Sequence, residues 1–169
     1  MAAMLLTGCG QVSLKAAPTR AAGGTEIAAT ALPSQPAPGL SLSSPATFST
    51  TVALGDMTLT LVGLGLPPGF PVVTPDAGLR FVAPQLVIEC TLPAGDACPS
   101  LGAFELIDAA GTRHSPVIAV TGEGFLPKEE FGGGTTISGG IVFAPPVDAA
   151  PYMLRYAGSQ GREAFFAIE

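Results

Sequence analysis

The residues able to do chemistry are few and scattered. His114 is the single histidine of the 169-residue chain and stands in GTRHSP, beside Ser115. Adjacency in sequence does not bring a serine hydroxyl onto an imidazole, and a nucleophilic serine needs a strained turn of the G-x-S-x-G kind, which is absent. His114 is therefore expected on the surface or at a strand edge, and no catalytic residue is assigned. Gly132-Gly133-Gly134 precedes Thr135-Thr136, but no lysine follows and no helix is expected, so a phosphate-cradling loop is excluded. A hinge between strands is the simpler use of those glycines. The loop TGEGFLPKEEF gathers Glu123, Glu129 and Glu130 around Phe125 and Phe131. It lacks the alternating Asp spacing of a calcium loop, and Lys128 offsets its charge, so no metal site is expected. Exposed aromatics on long loops often anchor partners, which makes Phe125 and Phe131 the candidate partner-binding loop.

The three cysteines divide into one and two. Cys9 closes Leu6-Thr7-Gly8-Cys9, which resembles a bacterial lipobox. In that family small residues give a signal peptidase access to the bond, and the cysteine thiol takes a diacylglyceryl group. The preceding residues are apolar but few and contain no Lys or Arg, whereas an export signal opens with a basic stretch. The expectation is a start recorded downstream of the true one, with Cys9 lipidated and the chain anchored to a membrane facing the periplasm or exterior. A chance match in a cytoplasmic protein is the competing reading. With Cys9 lipidated, exactly one pair remains, Cys90 and Cys98, flanking TLPAGDA. In an oxidising compartment that parity predicts a disulfide. A metal site at the pair is disfavoured, because no second pair or nearby histidine completes four ligands.

Composition narrows what must position these residues. With 22 Gly and 17 Pro, long helices are not expected to dominate. No apolar run approaches the ~18–20 residues that cross a bilayer as a helix. Lys15, Arg20 and Glu26 are the only charges before Thr47, which leaves 12 acidic and 5 basic residues beyond it. An acidic domain without a basic stripe repels phosphate backbones, so nucleic acid is not an expected partner.

Three regions follow. Residues 1–9 are a signal remnant. Residues 10–46, with five prolines among Ala, Ser, Thr and Gly, bury too little to offset their ordering entropy and are expected to be a disordered linker. As a coil such a segment reaches roughly 30–40 Å, which suits a tether. Residues 47–169 read as all-β. FSTTVAL, Gly55-Asp56 and MTLTLVG form a hairpin, because Gly opening a two-residue loop fits a type II′ turn. That closure pairs Leu54 with Met57 and Val52 with Leu59, apolar on one face with Thr58 and Thr60 on the other. Pro84-Gln85 marks a bulge or strand start before alternating Leu86, Ile88, Cys90 and Leu92. AFELID turns at Asp108–Gly111 towards PVIAV, TTISGGIVFAP puts Ile137, Ile141 and Phe143 on one face, and YMLRYAG and REAFFAIE complete the set. About seven or eight short antiparallel strands separated by turn residues predict sheet packed on sheet.

The second half of this domain carries a resemblance. FELIDAAGTRHSP followed by TTISGGIVFAPPVDAAPYMLRY is similar to the telokin-like, immunoglobulin-type domain of unknown function found on bacterial exported lipoproteins, which is related to a mycobacterial immunoprotective secreted antigen. In that family a strand ends in a D-x-x-G turn, matched by Asp108 and Gly111. A later strand reads G-x-x-x-F-x-x-P before a final L-x-Y, matched by Gly139, Phe143, Pro146, Leu154 and Tyr156. VIECTL matches more loosely, and an Asn often stands where this chain has its cysteine loop. The likeness spans residues 48–168 and its motifs are structural. It implies an immunoglobulin-like β-sandwich and an exported location, and no reaction or cofactor.

The function expected is a non-enzymatic binding or interaction module, extracytoplasmic and membrane-anchored through Cys9, with a protein or small ligand as partner. The alternative is a periplasmic metal-handling protein, since copper chaperones use similar sandwiches. That chemistry needs gathered His and Met side chains, and beyond the start this chain offers His114, Met57 and Met153.

Overall fold

The structure is a computed structural model that describes residues 36–71, 73–98, 103–117, 124–126, 130–158 and 161–168. Its strands are β1 (Thr51–Ala53), β2 (Met57–Leu64), β3 (Pro84–Cys90), β4 (Ala97–Cys98), β5 (Ala103–Ile107), β6 (Arg113–His114), β7 (Phe131–Gly132), β8 (Thr136–Gly140), β9 (Tyr152–Ala157) and β10 (Glu163–Ile168). One antiparallel sheet has the order β1-β2-β3-β8, a second β10-β9-β5-β6, and β4 pairs with β7 alone. The strands beyond the expected number are the two-residue pieces β4, β6 and β7.

The first hairpin forms because its turn and its pattern agree. Gly55 has φ 77°, the value the first turn position of a type II′ loop demands, and the Leu54 amide donates to the Met57 carbonyl at 2.8 Å. Val52 then faces Leu59, and both are buried. On the opposite face the Thr51 and Thr60 hydroxyls bond at 2.8 Å. Along β2 the register against β3 slips between Leu61 and Gly63, so Val62 is the extra residue of a bulge and lies 49% exposed. Pro84 opens β3, where a missing amide does least harm.

Alternation also builds the second sheet. Tyr152, Leu154 and Tyr156 on β9, and Ala164, Phe166 and Ile168 on β10, are buried and turned to one core with Leu59, Leu61, Leu86 and Ile88 of the first sheet. The Tyr156 hydroxyl crosses between the sheets to Met57 Sδ at 3.6 Å, and its ring packs on Phe104 with centroids 5.0 Å apart.

The N-terminal boundary departs from expectation. The linker was expected to run to Ala46, yet residues 39–46 are built into the fold. The Ala46 amide donates to the Phe165 carbonyl, the Ala167 amide to the Ala46 carbonyl and the Phe165 amide to the Gly39 carbonyl, each at 2.8 Å. Ala46 is fully buried. The physical reason is the free edge of β10, whose backbone groups need partners whatever the side chains of the covering segment are.

Candidate functional site

The cysteine loop is held from both ends. Cys90 ends β3, Cys98 lies in β4, and their sulfurs are bonded with Cα atoms 5.8 Å apart. β4 sets Cys98 against Phe131 and Ala97 against Gly132 of β7. The amides of Gly133 and Gly134 donate to the carbonyls of Asp96 (2.8 Å) and Cys90 (3.0 Å). The three glycines therefore seat the cysteine loop. Cys9 lies outside the described residues, as do Glu123, Lys128 and Glu129.

Phe125 and Phe131 do not form an exposed aromatic surface, which corrects the expected partner-binding pair. Each is 8% exposed. Phe131 joins the main core, while Phe125 packs with Phe70, Phe81, Ala83 and Val142 in a separate apolar cluster. Phe70 stands edge-on to Phe81 at 5.1 Å. Both rings are buried because they cover apolar surface of neighbouring elements that would otherwise meet water.

His114 is half-buried on the short edge strand β6 and is not free. Its Nε2 donates to Asp108 Oδ2 at 2.9 Å, while Asp108 Oδ1 accepts the amides of Ala110 and Thr112 at 2.9 and 2.8 Å. The bond from His114, joined by the two amides, holds the Asp108 carboxyl below its ordinary range, against a smaller opposing effect of burial. An Asx turn locked by an imidazole is what this geometry makes. A depressed folded-state value means that Asp108 contributes stability above the unfolded carboxylate value near ~3.9, lost as pH falls through the folded one. Urea midpoints of the wild type and Asp108→Asn should therefore differ clearly at pH 6, and the gap should narrow towards pH 3. A gap as wide at pH 3 would show that the charge is not its source.

The other polar assembly lies on the second sheet. Glu105 accepts from Arg155 at 2.5 Å and from Arg113 at 3.3 Å, and Arg155 also pairs with Glu163. The two carboxylates, Glu163 foremost, raise the Arg155 pKa. This is a cross-strand ladder in which Glu105 and Arg155 are direct partners in register. Arg162 donates to the Leu54 carbonyl at 2.7 Å beside an open depression of about 420 Å³ that Leu40, Ala53 and Glu163 also line. Met57 is buried on the first sheet, Met153 sits on β9, and among the described residues no three of His, Cys, Asp and Glu gather as a metal site. These arginines are not legible in the sequence, because their partners lie on other strands or, for Arg162, in the turn between β1 and β2.

No family model matches the chain, and no curated protein matches it. Solved structures do. An uncharacterised β-sandwich protein of Clostridium difficile 630 superposes with a TM-score of 0.53 at 12% identity, over 74% of this chain and 95% of its own. The candidate lipoprotein ycdA of Bacillus subtilis gives 0.54 at 13% identity, over 72% of this chain and 38% of its own. The secreted protein MPT63 of Mycobacterium tuberculosis gives 0.49 at 14% identity, over 74% of this chain and 97% of its own, too low to bear on the fold. The β-sandwich likeness agrees with the two antiparallel sheets that close on one core in this chain: the folded region is an immunoglobulin-like antiparallel β-sandwich.

Proposed function

We propose that the protein is an extracytoplasmic, non-enzymatic binding module held at a membrane by a lipid on Cys9. The observation that carries this reading is Leu6-Thr7-Gly8-Cys9 standing ahead of a Pro-rich stretch and a β-sandwich. Two further points support it. The fold is shared with a candidate lipoprotein, and the Cys90–Cys98 bond suits an oxidising compartment. A lipid on the thiol would fix the chain at the bilayer surface. The test is fractionation of bacterial cells expressing the protein from its native gene. Wild type is expected in the membrane fraction, and Cys9→Ala in the soluble fraction with an unchanged β-rich circular dichroism spectrum. Equal membrane partition of the two would overturn the anchor.

A further inference from the structure

Arg80 has a position that the fold does not use up. Residues 78–82 run antiparallel to residues 143–147: Val82 and Phe143 exchange bonds of 3.0 and 2.9 Å, the Arg80 amide donates to the Pro145 carbonyl at 3.0 Å, and the Val147 amide to the Gly78 carbonyl at 3.0 Å. Val82 and Phe143 turn into the core, and Arg80, two residues from Val82, lays its guanidinium over the Tyr152 ring, 4.8 Å from the centroid. Tyr152 is itself pinned, its hydroxyl donating to the Pro146 carbonyl at 2.8 Å. The cation is therefore held in a fixed plane by a fixed ring.

It lacks a counter-charge. Among the described residues Arg113, Arg155 and Arg162 each lie within 4.0 Å of a carboxylate and Arg80 does not. Its Nε–H is buried without an acceptor, so that edge of the guanidinium is closed, and the two terminal amino groups are what a ligand can reach. Two residues before Arg80 the surface is open: a Cβ on Gly78 would meet nothing within 4 Å, and Val147, paired with Gly78, is 53% exposed. A planar fork of donors matches a carboxylate bidentately, better than it matches a single-point acceptor. The apolar lip at Val147 favours an aliphatic group next to that carboxylate. In a chain of net charge −6 diffuse attraction of anions is absent, so the recognition must be local.

We propose that Arg80, seated on Tyr152, is a binding site for an organic carboxylate with an aliphatic flank. This names a ligand class for the binding module and rests on that reading. The carboxylate could be a peptide C-terminus or a small free acid, and the test separates them. The full chain, isotope-labelled, is titrated with N-acetylvaline, isovalerate and N-acetylvalinamide while the Arg80 Nε–H resonance is followed. A saturable shift is expected with an acid and none with the amide. Response to N-acetylvaline alone identifies a peptide terminus, and equal response to isovalerate a free acid. Arg80→Lys should weaken binding about tenfold or more, and Arg80→Met, which still covers the Tyr152 ring, should abolish it. No saturable shift with either acid, an equal shift with the amide, or binding retained in a folded Arg80→Met protein would overturn the site. The acid–amide contrast in the wild type decides the matter even where a variant does not fold. A negative titration alongside Cys9-dependent membrane partition would remove this site and leave the anchored module standing.

Discussion

Replacing Phe166 with alanine should destabilise the sandwich by about 3–5 kcal/mol. Phe166 is fully buried in the middle of β10, with Leu154 opposite it on β9 and Leu106 beyond that on β5. Its ring thus belongs to a row of three adjacent strands that closes against Leu59, Leu61 and Ile88 of the other sheet. Truncation removes the transfer free energy of the ring and leaves a cavity that flanking strands cannot fill without breaking their ladders. The backbone at this point has a second task, since Ala46 bridges to Phe166 and secures the segment covering the edge. Because domains of this size are stable by only about 5–15 kcal/mol, the variant should lose a large part of its resistance to urea. Phe166→Leu should cost far less, and Val62→Ala, at the exposed bulge, should stay within about 0.5 kcal/mol. The check is the urea midpoint of the three variants at constant m-value. A cost below about 1 kcal/mol for Phe166→Ala would show that the two sheets do not share one closed core.

What the chain shows in its sequence and what it hides follow from range. The hairpin at Gly55-Asp56 is readable because turn chemistry and two-residue alternation act over a dozen positions. The alternating cores of β9 and β10 are readable for the same reason. The Asp108–Gly111 turn is visible in outline, yet the capture of His114 by Asp108 depends on where β6 places the imidazole. The covering segment at residues 39–46 is hidden because composition reports on side chains, whereas that segment is held by backbone bonds to β10. A run of Pro, Ser and Gly looks like a linker and can still supply carbonyls and amides to an unpaired edge. The burial of Phe125 and Phe131 is hidden for a related reason. A loop aromatic with polar neighbours looks exposed until the apolar faces it covers, including Phe70 and Phe81 some 50 residues earlier, are placed beside it. Arg80 shows the same limit at a candidate site. Its ring partner, Tyr152, lies far along the chain, and only the pairing of residues 78–82 with 143–147 brings them together.

Removing the Cys90–Cys98 bond should cost about 2–3 kcal/mol, the loop-closure entropy of a short ring in the chain-entropy model, given a sequence separation of 8. The consequences should be local before they are global. Cys90 is the last residue of β3, in register with Met57, and its amide takes the Thr135 carbonyl at 2.9 Å. The cysteine loop returns to the glycine turn through β4 and β7. A Cβ at Gly133 would lie 2.0 Å from the Pro93 carbonyl oxygen, so the two backbones touch with no room for a side chain. The Cys90–Cys98 bond closes that contact from the cysteine side. In the Cys90→Ala/Cys98→Ala protein the amides of Gly133 and Gly134 should therefore exchange with solvent at least tenfold faster. Those of Leu154 and Phe166, in the opposite sheet, should slow or quicken only with global stability. Both cysteines are fully buried, so alanine avoids stranding a hydroxyl in the core. Wild type held under reductant should lose the same stability as the double variant. Equal stability with and without reductant, once free thiols have been counted, would mean that the ladder of β4 with β7 suffices by itself.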